Sequence, residues 1–238
     1  MATRRRLVLF DIDGTILLTA GAGRRAIMAA IAEEVGDVAV MREVRFDGKT
    51  DPQIVTELLE AAGHPGPHRS ERVQALCSRY VDLLQHELRQ PTSRTTVMPG
   101  VFPLLDRLER EEGVVLGLLT GNMVQGAALK LRAGGLDPAR FRVGAYGSDS
   151  GHRPDLPAIA ARRAEPYFGQ VPTGPEVVII GDTPADVACG ADIDARAVAV
   201  ATGAYSVADL MACGPHAAFE DLRDTDRVLE AILASHQG

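Results

Sequence analysis

Short apolar runs recur along the chain, each followed by a stretch in which apolar and polar positions follow a helical spacing. The runs are Leu7–Phe10, Val114–Leu119, Val177–Ile180 and Ala197–Val200, with a weaker one at Phe141–Ala145. Apolar runs without polar alternation suit parallel strands covered on both faces. Helical patterns lie between and after them at Val101–Glu112, Val124–Ala133, Leu156–Ala164, Ala185–Ala191 and Thr225–Ala234. Strand then helix, repeated, predicts an α/β fold with a doubly wound, Rossmann-like parallel sheet. The rhythm breaks after the first run. Gly23–Val35, Pro52–Ala62 and Arg69–Leu88 read as helices, with a strong turn in "GHPGPH" and Asp51 as the expected N-cap ahead of Pro52. The expected organisation is a core domain from residues 1–17 and 93–238, with a helical cap domain, residues 18–92, inserted after the first strand. "ILLTAGAG" and "QPTSRTTVMPG" are the two linkers, rich in small and turn-forming residues.

The chemistry gathers where apolar runs end. Asp11 and Asp13 follow the first run in "DIDGT", with Gly14 allowing a sharp turn. Carboxyl ends of strands form the ligand-binding edge of such a sheet. "VVIIGDTPADV" carries Asp182 and Asp186, four apart at a loop-to-helix junction where Thr183 is a natural N-cap. "VVLGLLTGNM" ends in Thr120, Gly121 and Asn122, a hydroxyl with backbone N–H groups ahead of a helix, suited to an anion. Taken singly, DG and GD are common turns and Thr120 an ordinary cap. Three such ends in chain order point to one site. Asp11, Asp13, Asp182 and Asp186 would hold a hard cation, and Thr120 with its neighbours a phosphate. All-oxygen ligation of this kind selects magnesium, Mg2+. Without a cation, four acids in one cavity would repel one another and raise at least one pKa.

Composition narrows the picture. The 238 residues carry a net charge of -7, which disfavours non-specific nucleic-acid binding. The "RRR" at Arg4–Arg6 reads as a solvated start to the first strand. No apolar run reaches the length of a membrane span, and Leu7–Phe10 is too short for the apolar region of a signal peptide. Cys77, Cys189 and Cys213 show no CxxC spacing and read as small buried apolar residues, so the expected setting is cytoplasmic. Lys49 and Lys130 are the only lysines, so arginine carries most of the positive charge. The sequence sets no oligomeric state.

These residues resemble the haloacid dehalogenase superfamily, within it the phosphoglycolate-phosphatase-like branch. "DIDGT" is similar to the family's first motif, "LLTGN" to the second and "GDTPAD" to the fourth; the helical region resembles its cap, and "YSVADLMACGPHAAFEDL" its closing strand and helix. The resemblance implies that Asp11 is a nucleophile forming an aspartyl phosphate. Asp13 would protonate the leaving oxygen, then deprotonate the attacking water. Magnesium would be held by the Asp11 carboxylate, the Asp13 backbone carbonyl and Asp182, with Asp186 binding directly or through water. Thr120 and the Gly121–Asn122 backbone would hold the phosphoryl oxygens. Where the third motif usually has lysine, this chain has Arg153, directly before Pro154. Its planar fork grips differently from an ammonium. Lys130 is the fallback cation, though it reads as a solvated mid-helix residue; His152 reads as an exposed loop residue.

The expected activity is magnesium-dependent hydrolysis of a small phosphorylated metabolite, phosphoglycolate-like or sugar-phosphate-like. Dehalogenases and phosphonate-cleaving members lack the second acid of the first motif, so Asp13 favours phosphate monoesters. The alternatives are a β-phosphoglucomutase-like phosphotransferase and a non-catalytic binding protein on the same fold. "FDGKTDPQ" resembles the cap segment that reaches the active site, which makes Lys49 and Thr50 candidates for substrate contact.

Overall fold

The computed structural model describes residues 5–36 and 43–234. In β1 (Arg6–Phe10), Leu7, Val8, Leu9 and Phe10 are all closed off from solvent. Side chains alternate across a strand. Val8 and Phe10 therefore enter one apolar cluster and Leu7 and Leu9 another, on opposite faces. In β4 (Val114–Thr120) and β6 (Val177–Gly181), Leu116, Leu118, Val178 and Ile180 join the first cluster, and Leu119, Val177 and Ile179 the second. This two-sided burial is why the sequence runs lack alternation. Each such side chain contributes roughly 1.5–3 kcal/mol relative to exposure.

With β5 (Val143–Tyr146), β7 (Arg196–Val200) and β8 (Ala217–Phe219), these strands form one sheet in the order β5-β4-β1-β6-β7-β8. Every pairing in it is parallel. Helices α4 (Val101–Leu108), α5 (Val124–Ala133) and α9 (Thr225–Leu233) cover the face of Val8. Helices α6 (Leu156–Phe168) and α7 (Pro184–Cys189) cover the face of Leu7. The architecture is the expected Rossmann-like α/β fold. From β4 the chain moves outward to β5, then returns to β6 on the far side of β1. The carboxyl end of β1 is thus a topological switch point, where such sheets bind ligands.

Between β1 and β4 the chain forms α1 (Ala22–Val35), α2 (Asp51–Ala61) and α3 (Ser70–Arg89). Ile27, Ile31, Leu58, Leu59, Tyr80 and Leu84 build a cluster of their own among these helices. The segments leading out and back pair as a short antiparallel ribbon, β2 (Leu17–Leu18) with β3 (Thr96–Val97). No strand was expected there, because turn-forming residues dominate both segments.

Other departures have local causes. Helix α4 stops at Leu108 rather than Glu112, where three glutamates would have lain against the negative helix end. Thr50, not Asp51, caps α2, its hydroxyl accepting from the Gln53 N–H at 3.2 Å. A short helix α8 (Val207–Met211) forms where Ser206 and Asp209 make a capping box. Arg6 is buried rather than solvated: its guanidinium donates to the Ala234 carbonyl at 2.9 Å, as does Arg196 at 2.7 Å, satisfying the end of α9. Arg4 lies outside the described residues. Cys77 and Cys189 are buried as expected, whereas Cys213 is exposed. Among the described residues no helix is long and apolar enough to cross a membrane.

Candidate active site

The switch point places the ends of β1, β4 and β6 side by side. Asp11 follows β1 directly, its N–H still donating to the Ile180 carbonyl of β6 at 2.9 Å. Asp182 follows β6, and Asp186 lies one turn into α7. Asp11, Asp182 and Asp186 are buried and each brings a carboxylate oxygen within 4.8 Å of the others. Glycines make room for them. A Cβ on Gly14 or Gly203 would fall 2.2 or 1.8 Å from the Asp182 Oδ2, and one on Gly181 would fall 2.1 Å from the Asp186 carboxyl carbon. Gly14 also has φ +90°, a conformation side chains resist.

Each acid has a defined partner. The Thr15 hydroxyl donates to Asp182 Oδ1 at 2.9 Å. Thr183 caps α7 and donates to Asp186 Oδ2 through its hydroxyl at 2.6 Å and its N–H at 3.0 Å. Arg153, on the 3-10 turn leading into α6, is buried. Its guanidinium donates to Asp186 Oδ1 and lies 3.3 Å from Asp11 Oδ1. Arg153 is thus the cation beside Asp11. Both oxygens of Asp186 already accept bonds, which leaves Asp11 and Asp182 as the more open ligands.

The electrostatics record this crowding. Burial raises the Asp11 carboxyl to about 7; Arg153 opposes the rise, and the charges of Asp186 and Asp13 add to it. Asp182 is pushed up to about 9, by burial first and then by Asp186 and Asp11. Burial works against the Arg153 guanidinium, but Asp186 and Asp11 together raise its pKa. A bound cation is what allows adjacent buried carboxylates to ionise together. The donor set is all oxygen, small and anionic, and fits a hard divalent ion.

Asp13 departs from the four-acid cluster expected. Its side chain is 40% exposed and its Oδ2 accepts from Lys130 Nζ at 2.6 Å and from the Asn122 amide at 2.8 Å. These two donors, reaching in from α5 and the end of β4, draw the carboxylate away from the group of three. Lys130 is only 4% exposed, not solvated. Asn122 also donates to the Thr120 hydroxyl at 2.7 Å. Gly121 allows the helical segment to approach: a Cβ there would lie 2.1 Å from the Lys49 carbonyl, and the Gly121 carbonyl accepts the Asp51 N–H at 2.7 Å. The Met123 N–H is taken by the Asp51 carboxylate at 2.7 Å, so it is not open to an anion.

A cavity of about 480 Å³ lies between the strand ends and the helical segment. Its walls include Asp11, Asp13, Thr120, Gly121, Asn122 and Lys49. Arg153 and Asp182 line it too, while Ile27, Phe46, Ile54 and Tyr80 supply an apolar side. The Lys49 ammonium is paired with Glu57. Thr50 is buried and does not line the cavity; its hydroxyl donates to the Gly151 carbonyl at 2.7 Å. It bolts α2 to the core. His152 is exposed. Sequence reasoning missed Thr15 and the partners of Asp13. One signal was present: Lys130 falls on the buried stripe Ala127–Leu131 of α5, where a charge needs a partner.

A parallel sheet with acids gathered at its switch point defines an α/β protein with a candidate cation site at its ligand-binding edge. The chain belongs to the haloacid dehalogenase-like hydrolases, whose family model matches residues 8–191. It is 28% identical over 232 residues to a phosphoglycolate phosphatase of Cereibacter sphaeroides (strain ATCC 17029 / ATH 2.4.9), covering 95% of this chain and 99% of that protein. A hydrolase from Pseudomonas syringae shares the fold with a TM-score of 0.73 at 23% identity, covering 97% of this chain and 100% of that one. CbbY from Rhodobacter sphaeroides, in complex with phosphate, gives 0.72 at 18% identity, covering 92% and 96%. β-Phosphoglucomutase from Clostridium difficile gives 0.71 at 16%, covering 96% of each chain. The chain is thus a member of this hydrolase family, similar over most of its length to phosphoglycolate phosphatases.

Proposed function

We propose that this enzyme hydrolyses a small phosphate monoester, phosphoglycolate-like or sugar-phosphate-like, with Mg2+ and through an aspartyl phosphate on Asp11. The observation that carries the reading is the buried group Asp11, Asp182 and Asp186 set against Arg153. Asp11 and Asp182 would hold the cation, with the Asp13 backbone carbonyl, and Asp186 would act through water. When bound, magnesium supplies positive charge against the phosphoryl oxygens.

A carboxylate and a phosphate dianion repel each other, so the site must first cancel that repulsion. Arg153 does so beside Asp11. The Thr120 hydroxyl and the Gly121–Asn122 backbone hold phosphoryl oxygens. An Asp11 oxygen attacks phosphorus, the bond from phosphorus to the ester oxygen breaks, and Asp13 gives its proton to that oxygen. Water then attacks the phosphoryl group while Asp13 takes back a proton. The Asp11–phosphorus bond breaks, releasing inorganic phosphate. Residues 18–92 act as a cap on the core of residues 1–17 and 93–238, excluding water and selecting the leaving group. Lys49 faces that side; Thr50 serves the cap's attachment rather than the substrate. The setting is cytoplasmic, where Cys77, Cys189 and Cys213 stay reduced.

The test is release of phosphate from p-nitrophenyl phosphate, acetyl phosphate and a panel of phosphorylated metabolites, with and without magnesium, using Asp11→Asn as control. Metal-dependent turnover lost in Asp11→Asn is expected. No turnover in any arm would leave a binding protein, and conversion of β-glucose 1-phosphate to glucose 6-phosphate would make it a mutase.

A further inference from the structure

Lys130 is a buried cation that the reaction above does not use. It projects from the middle of α5, and its ammonium reaches Asp13 Oδ2 at 2.6 Å and Asn122 Oδ1 at 2.6 Å. The Asn122 amide reaches the same Asp13 oxygen at 2.8 Å. The three side chains close a ring of hydrogen bonds. The helical segment walls this ring. A Cβ on Gly23 of α1 would lie 3.4 Å from the Lys130 nitrogen and 3.9 Å from the Tyr80 hydroxyl of α3. Lys130 therefore lies close beside α1 while it binds Asp13, and lines the same cavity.

We infer that Lys130 is a positioning residue for Asp13: with Asn122 it pins one carboxylate oxygen, so that only the other can carry the proton exchanged with the leaving group. This rests on the reading of Asp13 as the proton carrier. An oxygen that accepts two N–H bonds, one of them charged, has no room for a proton facing those donors. The transferable proton is then confined to Oδ1, the oxygen those two donors do not occupy. Without Lys130 the carboxyl turns about its last bond and the proton is presented in the wrong place.

Positioning a proton matters only where the leaving group needs one. The test compares kcat/KM, which reports the steps through cleavage of the ester bond, in wild type and Lys130→Met. Methionine keeps the stem's packing and removes the donor. Two substrate kinds are used with magnesium: an alkyl phosphate that wild type hydrolyses, and p-nitrophenyl phosphate, whose leaving group departs as a stable anion. The expected loss is about 100-fold or more for the alkyl ester and less than about threefold for the nitrophenyl ester, following the usual worth of general acid catalysis. Equal losses on both would overturn the inference, since a fold defect or lost substrate contact acts alike on each; no loss on either would overturn it too. Wild type inactive on every ester would instead overturn the phosphatase reading itself.

A second measurement does not need that variant to fold. Lysine-selective ¹⁵N labelling gives signals from the only two lysines, Lys49 and Lys130; Lys49→Arg assigns them. Asp13→Asn must shift the Lys130 ammonium signal. A Lys130 signal unchanged by Asp13→Asn means the contact is absent in solution and ends the proposal.

Discussion

Asp51 offers a stability test whose sign and size follow from the structure. It is the first residue of α2, is buried, and accepts the Met123 N–H at 2.7 Å across the junction with the core. Burial raises its carboxyl from 3.8 to about 6; Lys130 and the Met123 N–H oppose the rise, and Asp13 adds to it. The folded protein thus holds this proton more tightly than the unfolded chain does. Its stabilising contribution is complete below pH 3.8 and is lost as pH rises through about 6. A shift of that size is worth about 3 kcal/mol. Asp51→Asn keeps an oxygen for Met123 and removes the charge. The stability of Asp51→Asn relative to wild type should therefore climb by about 2.4 kcal/mol between roughly pH 4 and pH 7, or about 5–10 °C in Tm for a chain this size. The assay is thermal unfolding of both proteins across that range in chelator. A difference that stays flat with pH, or falls as pH rises, would show that Asp51 is not held as a buried, proton-binding acid.

Other substitutions probe the site directly. Gly203→Ala places a methyl 1.8 Å from Asp182 Oδ2, and should weaken magnesium binding at least about tenfold by calorimetry, the usual penalty for disturbing what orients a ligand; unchanged affinity would exclude Asp182 as a ligand. Arg153→Met strands Asp11 and Asp186 and should cost about 3–5 kcal/mol of stability in urea unfolding. Arg153→Lys should recover part of both stability and turnover, and a Met variant as stable as wild type would contradict the buried pairing. Thr183→Val removes the α7 cap and an Asp186 partner and should cost about 1–2 kcal/mol in the same assay; a cost near zero would show that the cap does not matter.

Much of the fold was legible because its physics is local. Strands such as Val177–Gly181 are apolar on both sides because both faces are covered, and that shows in sequence without any partner. Asp11, Thr120 and Asp182 were legible as well, since strand ends bind ligands in this architecture wherever the order reverses. What stayed hidden depends on distant contacts. Nothing near Lys130 in sequence says that Asp13 lies beside its ammonium; only the charge on an apolar helical stripe hinted at a partner. Thr50 reads as a substrate contact because "FDGKTDPQ" resembles a cap segment that reaches the active site, yet its hydroxyl is consumed by the α2 cap and the Gly151 carbonyl. Arg6 looked solvated because the α9 carbonyls it satisfies lie more than two hundred residues away.

The most direct test of the account is an acid-quenched single turnover with labelled acetyl phosphate, followed by peptide mapping. In the presence of magnesium, the label should appear transiently on the peptide containing Asp11, and chelator should abolish it. Phosphate released with no label ever on that peptide, or label carried by another residue, would contradict it.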